Sequence, residues 1–456
     1  MQRERFGSRL GFILLSAGCA IGVGNVWKFP YITGQYGGGA FVLIYLIFLV
    51  ILGIPVLTME FSLGRAAQKS PVKLYYELEP KGSKWHIHGY FAMAGNYILM
   101  MFYTSVAAWM LQYFWYMASG KFEGMSTSQI TGVFDEMLSR PWILILFVAI
   151  VIVMGFGVCA LGVQKGIEKV SKWMMLALLA IMVILAVRSI FLPGGAEGLR
   201  FYLVPDFGKM ADVGIFNVIV AAMNQAFFTL SIGMGGMAIF GSYIGKERAL
   251  MGEALNVTVL DTFVAITAGL IIFPACFAYD IEPGAGPPLI FQTLPNVFNN
   301  MPGGRIWGSL FFVFMSFAAL TTVLGVFENI VSMTEDLFGW SRKRACLING
   351  IAMIFLALPC ILGFNVLSDF TPFGAGTGVL DLEDYIVSNI ILPAGSLIFV
   401  IFCNYKFAWG FEKFKEEANT GKGLKVANWM RYYFKYVLPI IISVILVYGI
   451  ISPFIG

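Results

Sequence analysis

The chain has 456 residues, 59% of them hydrophobic and 12% charged, against roughly 25% charged in soluble domains; its mean hydropathy is +0.80. Such a chain cannot hide its apolar surface from water, which excludes a soluble enzyme and predicts an all-α integral membrane protein. A net charge of +4 implies no nucleic-acid partner, and six scattered cysteines without a CxxC pair imply neither a disulfide framework nor a zinc site.

The first apolar stretch, residues 9–34, follows Arg3, Arg5 and Arg9 and contains SAGCAIGVGNVWKFP. The basic start and the small residues before Cys19 resemble a lipoprotein leader. Against that reading, the apolar pattern runs on through Val23, Val26 and Trp27, and more spans follow. The glycines resemble a nucleotide loop, but such a loop needs a strand before it and a helix after it. An interrupted membrane helix remains. Gly18, Gly22 and Gly24 each cost about 1 kcal/mol in a helix. Asn25 adds a polar amide, and Pro30 cannot continue the backbone ladder. Unwound backbone at membrane depth survives only where it lines a cavity or is buried in protein. Helix packing through glycine would explain a GxxxG pair but not Asn25.

Further apolar stretches follow near 39–64, 87–119, 141–161, 166–191, 213–243, 250–278, 303–336, 344–364, 384–405 and 428–453, which makes eleven spans. His86 and His88 fall where the third span begins and read as a polar flank rather than a metal pair. Residues 120–140 and 279–302 form the longer outer loops, the second rich in Pro and Gly. The sixth span, NQAFFTLSIGMGGMAIFGSY, repeats the pattern of the first: Gly233, Gly235 and Gly236 interrupt it beside Gln225, Thr229 and Ser231. Interruptions in the first and sixth spans point to two five-helix halves around a transporter site. Five is odd, so the halves would be inverted: residues 1–200, then 201–410, with 411–456 adding an eleventh helix. Basic residues give the orientation. With the N-terminus inside, 23 of the 30 lysines and arginines fall on inner segments. The outer side keeps Lys28, Lys121, Arg140, Arg188, Arg200, Lys209 and Arg305. The C-terminus then lies outside.

GCAIGVGNVWKFPY followed by GGGAF resembles the signature of the neurotransmitter:sodium symporters. FFTLSIGMGG is similar to their sixth helix and SFAALTTVLGVFE to their eighth. The resemblance runs in order through the chain and is nearest to short bacterial members that carry hydrophobic amino acids. It implies a single polytopic transport domain in the cytoplasmic membrane of a bacterium, with sodium ions and a small amino acid as cargo. It implies neither an organic cofactor nor an obligatory protein partner.

By that resemblance a first sodium site takes the Ala20 carbonyl, Asn25, Thr229, Asp261 and the substrate carboxylate. A second takes the carbonyls of Gly18, Ile21 and Ala318 and the hydroxyls of Thr321 and Thr322. Sodium is a hard cation and wants several oxygens, which unwound carbonyls supply. The threonines have an ordinary alternative: back-bonding to their own helices. Asp261 has none, because no basic residue stands near it in NVTVLDTFVAITAG. Many relatives carry asparagine at that position and bind chloride nearby. Here Tyr45 and Gln225 match part of the chloride set, Asp261 supplies the charge itself, and chloride-independent transport is expected. Ala265 stands where some bacterial relatives carry a glutamate.

Amine carriers of the family have an aspartate where this chain has Gly22. The substrate is therefore expected to bring its own carboxylate, as an α-amino acid does. Its head would meet Ala20, Gly22, Val23, Gly24, Tyr103, Phe228, Thr229 and Ser231, beside Cys19 and Thr322. Its side chain would meet Leu99, Tyr103, Phe228, Met234 and Val326. The inner gate is implied to pair Arg3 with Asp336, and the outer gate Lys28 with Asp384, although Asp381 and Glu383 are close by. Lys28 and Phe6 replace the arginine and tryptophan of many relatives. A sodium channel or a non-transporting sensor on the same fold is the alternative. A channel should show continuous polar lining, which these spans lack.

Overall fold

The computed structural model describes residues 6–279 and 289–455. Among them there is no strand, only two isolated bridges, Gly38 with Pro205 and Arg248 with Lys422. Nine unbroken helices among these residues are long and apolar enough to cross a membrane. They run Gly39–Ala67, Ile87–Ala118, Pro141–Ala160, Val163–Ile190, Leu250–Ala278, Gly304–Phe338, Arg342–Leu362, Val379–Asn404 and Met430–Ile451. Two further crossings are interrupted. The first joins Arg9–Ala20 to Gly24–Gln35 with a 55° bend. The sixth is Ile215–Thr229 followed, after an irregular stretch, by Gly236–Ser242. Fifteen helical residues reach only about 22 Å, short of the hydrocarbon core, so both pieces are needed for one crossing. By length and composition the described residues give nine to eleven spans, so the expected eleven is the upper end of that range.

The breaks arise where the sequence places glycine. Ile21 turns to an extended conformation and ends the first helix at Ala20. In the sixth span Ser231, Gly233 and Gly235 all have positive φ, at 51°, 103° and 75°. Two of the three are glycines, for which this region carries no penalty. Ser231 has a Cβ, which costs about 1–2 kcal/mol in this region.

The eighth span is buried almost throughout and forms the central post, while the eleventh is the least buried of the nine. Exposed apolar side chains such as Phe191, Val153 and Trp173 make the lipid-facing rim. One boundary differs substantially from expectation. The tenth span begins at Val379 rather than near 384. Hydropathy cuts Asp381 and Glu383 away from it, but an acidic residue such as Asp381 is favourable in the first turn of a helix. The loop at 120–140 contains a helix, Thr127–Leu138, and the later loop contains Leu294–Asn300. Part of that later loop, residues 280–288, lies outside the described residues.

Candidate functional site

The two breaks face each other at the centre of the molecule. A cavity there is lined by Ala20, Gly22 and Gly24 of the first span, Leu99 and Tyr103 of the third, and Phe228, Ser231 and Met234 of the sixth. Thr322 of the eighth closes one side, and Val387 and Leu392 of the tenth close another. No charged side chain lines it. Space at Gly22 is tight: a Cβ there would collide with the hydroxyls of Tyr103 and Thr322. One at Gly24 would strike the Phe228 ring. The Val23 N–H donates to the Tyr103 hydroxyl at 2.9 Å.

Beside the cavity, Asp261 is fully buried. Asn25 Nδ2 donates to its Oδ1 at 2.8 Å and the Thr229 hydroxyl to its Oδ2 at 3.0 Å. Asn25 Oδ1 accepts from the Gly22 N–H at 3.1 Å, so the amide ties the break to the seventh span. Gln225 Nε2 donates to the Gly24 carbonyl at 2.9 Å, and Tyr45 is buried with Asp261 and Thr229 as its electrostatic neighbours. The hydrogen-bond partners of Asp261 are neutral; an intramembrane carboxylate so placed costs several kcal/mol unless a cation answers it.

A second group of oxygens lies between the first and eighth spans. The Thr321 hydroxyl is 3.3 Å from the Ile21 carbonyl and 3.0 Å from that of Ala318. The Thr322 hydroxyl is 3.5 Å from the Gly18 carbonyl and 3.3 Å from that of Ile21. Thr321 also back-bonds to Phe317 at 3.0 Å, as an ordinary helical threonine does. Thr322 and Thr229 instead reach across to other helices.

Contacts between spans flank the cavity at both ends. At one end Lys28 Nζ lies 3.0 Å from Asp384 Oδ2, 3.2 Å from the Ser388 hydroxyl, and 4.0 Å above the Phe228 ring. Asp384 is thus the partner; the neighbouring Asp381 instead accepts the Gly378 N–H at the helix start, and Glu383 is buried. At the other end the Phe6 ring meets Tyr243 edge-on at 5.6 Å. The Tyr243 hydroxyl is 2.6 Å from Glu328, which Arg342 also holds. Asp336 accepts the Ser70 N–H at 2.7 Å. Its expected partner, Arg3, lies outside the described residues.

Four expected residues are not among those lining the cavity: Val23, whose N–H meets Tyr103, Thr229, which is turned to Asp261, and Val326 and Cys19. Val326 is buried in the eighth span but is not among the side chains lining the cavity, whose remaining wall comes from Val387 and Leu392. Val387 lies in a distorted turn of the tenth span over Ile386–Ile391, and Leu392 follows directly after it. Cys19 offers its carbonyl to Thr322 and Ser231, while its thiol faces Gly325. One further residue is not apparent from the motifs. Glu60 of the second span is fully buried and accepts the Gly233 N–H at 2.5 Å, with the N–H groups of Gly235, Met237 and Ala238 beside it. It satisfies donors that the broken sixth span leaves open. The same signal that singles out Asp261, a carboxylate inside a span, is present in MEFSLG.

An all-helical membrane protein with two interrupted helices around a central cavity has the build of a secondary transporter. Comparison with known proteins makes this specific. A profile described as the Sodium:neurotransmitter symporter family matches residues 3–129 and 123–454. The sodium-dependent transporter YhdH of Bacillus subtilis (strain 168) is 34% identical over 443 residues, covering 97% of this chain and 96% of its own. A sodium-dependent transporter of Haemophilus influenzae is 32% identical, covering 98% of each. The crystal structure of MhsT in complex with L-phenylalanine superimposes with a TM-score of 0.88 at 35% identity, over 98% of this chain and 100% of that one. The chain belongs to the sodium:neurotransmitter symporter family. Its relatives are sodium-dependent transporters, not enzymes.

Proposed function

We propose that this symporter imports hydrophobic L-amino acids, aliphatic and aromatic, by alternating access, coupled to two sodium ions and without chloride. The uncharged cavity carries this reading. Its polar groups gather at the unwound backbone near Gly22–Gly24, Tyr103, Ser231 and Thr322, whereas Leu99, Phe228, Met234, Val387 and Leu392 make the rest apolar. That division suits a zwitterionic head and an apolar tail. Met234 is a pliable side chain that tolerates differing shapes. The phenylalanine held by MhsT is of this class.

Ala20, Asn25, Thr229 and Asp261 would hold one sodium, completed by the substrate carboxylate. Gly18, Ile21, Ala318, Thr321 and Thr322 would hold the other. The energetics suffice. One charge crossing 100 mV releases about 2.3 kcal/mol, and a tenfold gradient adds about 1.4 kcal/mol per ion. Two ions then supply about 7 kcal/mol. The bacterial cytoplasmic membrane, an inner N-terminus and inverted halves at 1–200 and 201–410 complete the reading.

The test is sodium-dependent binding of leucine, phenylalanine, tryptophan, lysine and glutamate to the purified protein. The first three should compete for one site; selection of lysine or glutamate would refute the pocket assignment. A second prediction concerns the outer gate. The Lys28–Asp384 pair is about a quarter to a third exposed, so screening limits its worth to about 1 kcal/mol or less. Lys28→Gln should therefore raise the KM for uptake by no more than about fivefold, with kcat little changed; abolished transport would mean that Lys28 does more than close the gate.

A further inference from the structure

The chain between the tenth and eleventh spans packs on the inner end of the second span and on the loop that follows the sixth. Arg65, at the inner end of the second span, is buried. Its Nε donates to Glu417 Oε1 at 2.6 Å, and its Nη1 to the carbonyls of Arg248 at 2.7 Å and Gly245 at 3.3 Å. Its Nη2 donates to the Glu417 carbonyl. Glu417 belongs to the short helix Phe411–Asn419, and Lys246 Nζ also stands 3.6 Å from it. Beside this ion pair two backbone bonds stitch the segments together. The Ala249 N–H donates to the Lys422 carbonyl and the Lys422 N–H to the Glu247 carbonyl, each at 3.0 Å.

The second span is in turn locked to the inner half of the sixth. A Cβ on Gly64 would collide with the Ala238 carbonyl, and one on Gly241 with the Phe61 carbonyl. Backbones that approach this closely shift together rather than slide. The inner half of the sixth span, the loop 245–249 and the second span thus form one unit. Arg65 fastens that unit to the segment before the eleventh span. A planar guanidinium with its donors engaged in a buried, fixed fork is the residue suited to such a joint.

We propose that Arg65 and Glu417 are positioning residues that clasp the inner mouth shut, so that residues 411–426 set how readily the carrier opens inward. The inference rests on the alternating-access reading above. Neither residue touches the cavity or the two oxygen groups. Breaking the clasp shifts the balance between closed and inward-open forms without altering the binding groups themselves.

Two experiments test it. In the first, a thiol is introduced at Ser16, buried in the inner half of the first span, and its reaction with a membrane-permeant reagent is followed above the background of the native cysteines. Glu417→Gln should speed labelling about tenfold, as a shift of that size in the opening equilibrium requires, and Glu417→Asp should restore the slow rate. Unchanged labelling in Glu417→Gln would overturn the proposal. In the second, Arg248→Cys and Lys422→Cys are combined, since these residues face each other across a bridge. The oxidised pair should keep sodium-dependent amino-acid binding, lose uptake, and regain it on reduction. Full uptake by the cross-linked protein would contradict the clasp. If the wild type binds or carries no amino acid, the functional reading fails, while the labelling comparison still reads the clasp.

Discussion

Asp261→Asn is expected to lower sodium-driven uptake in chloride-free medium by about 100-fold, equivalent to roughly 3 kcal/mol, and added chloride should recover a measurable part of the loss. The carboxylate is buried, with Asn25 at 2.8 Å and Thr229 at 3.0 Å as its hydrogen-bond partners. Both partners are neutral, so the charge of a bound sodium is the natural answer to it. An amide keeps the shape and the hydrogen-bonding oxygen but removes the charge. A chloride near Tyr45 and Gln225 could return it, as their position beside the site allows. The measurement is uptake by wild type and variant with chloride or gluconate. Chloride dependence of the wild type, or an unimpaired Asp261→Asn, would contradict this role.

Gly22→Asp should abolish amino-acid uptake, by about 100-fold or more. Two effects combine. Any Cβ at this position collides with the hydroxyls of Tyr103 and Thr322, in a region where packing leaves little slack. A carboxylate there would also repel the substrate's own. Gly22→Ala isolates the first effect and should cost about tenfold. The difference between the two variants, read as binding affinity at saturating sodium, reports the charge. Equal losses in both would mean that a missing carboxylate at this position does not select amino acids.

The glycines make the breaks legible, because a membrane helix with Gly18, Gly22 and Gly24 beside Asn25, or with Gly233, Gly235 and Gly236, has no other economical explanation. Long apolar runs make the spans legible for the same reason. Hydropathy truncates the tenth span because it treats acidic residues at a helix start as the end of a span. The wall formed by Val387 and Leu392 is invisible to it, since apolar periodicity marks a residue as apolar without saying which neighbouring span or cavity it faces. Glu60 and Gly233 are 173 positions apart, and Arg65 and Glu417 are 352 apart. Single-residue reading can flag a buried charge in either pair but cannot name its partner. Phe228 belongs to the expected pocket; that it also carries Lys28 on its face becomes visible only when the spans are assembled.

Counterflow in proteoliposomes distinguishes a carrier from every other use of this fold. Vesicles preloaded with unlabelled leucine and sodium are diluted into medium containing sodium and a trace of labelled leucine. A symporter accumulates label transiently above its external concentration, only when sodium is present, and excess phenylalanine outside suppresses the accumulation. Sodium-dependent binding without any counterflow would instead describe a sensor, and would contradict sodium-coupled import of hydrophobic amino acids.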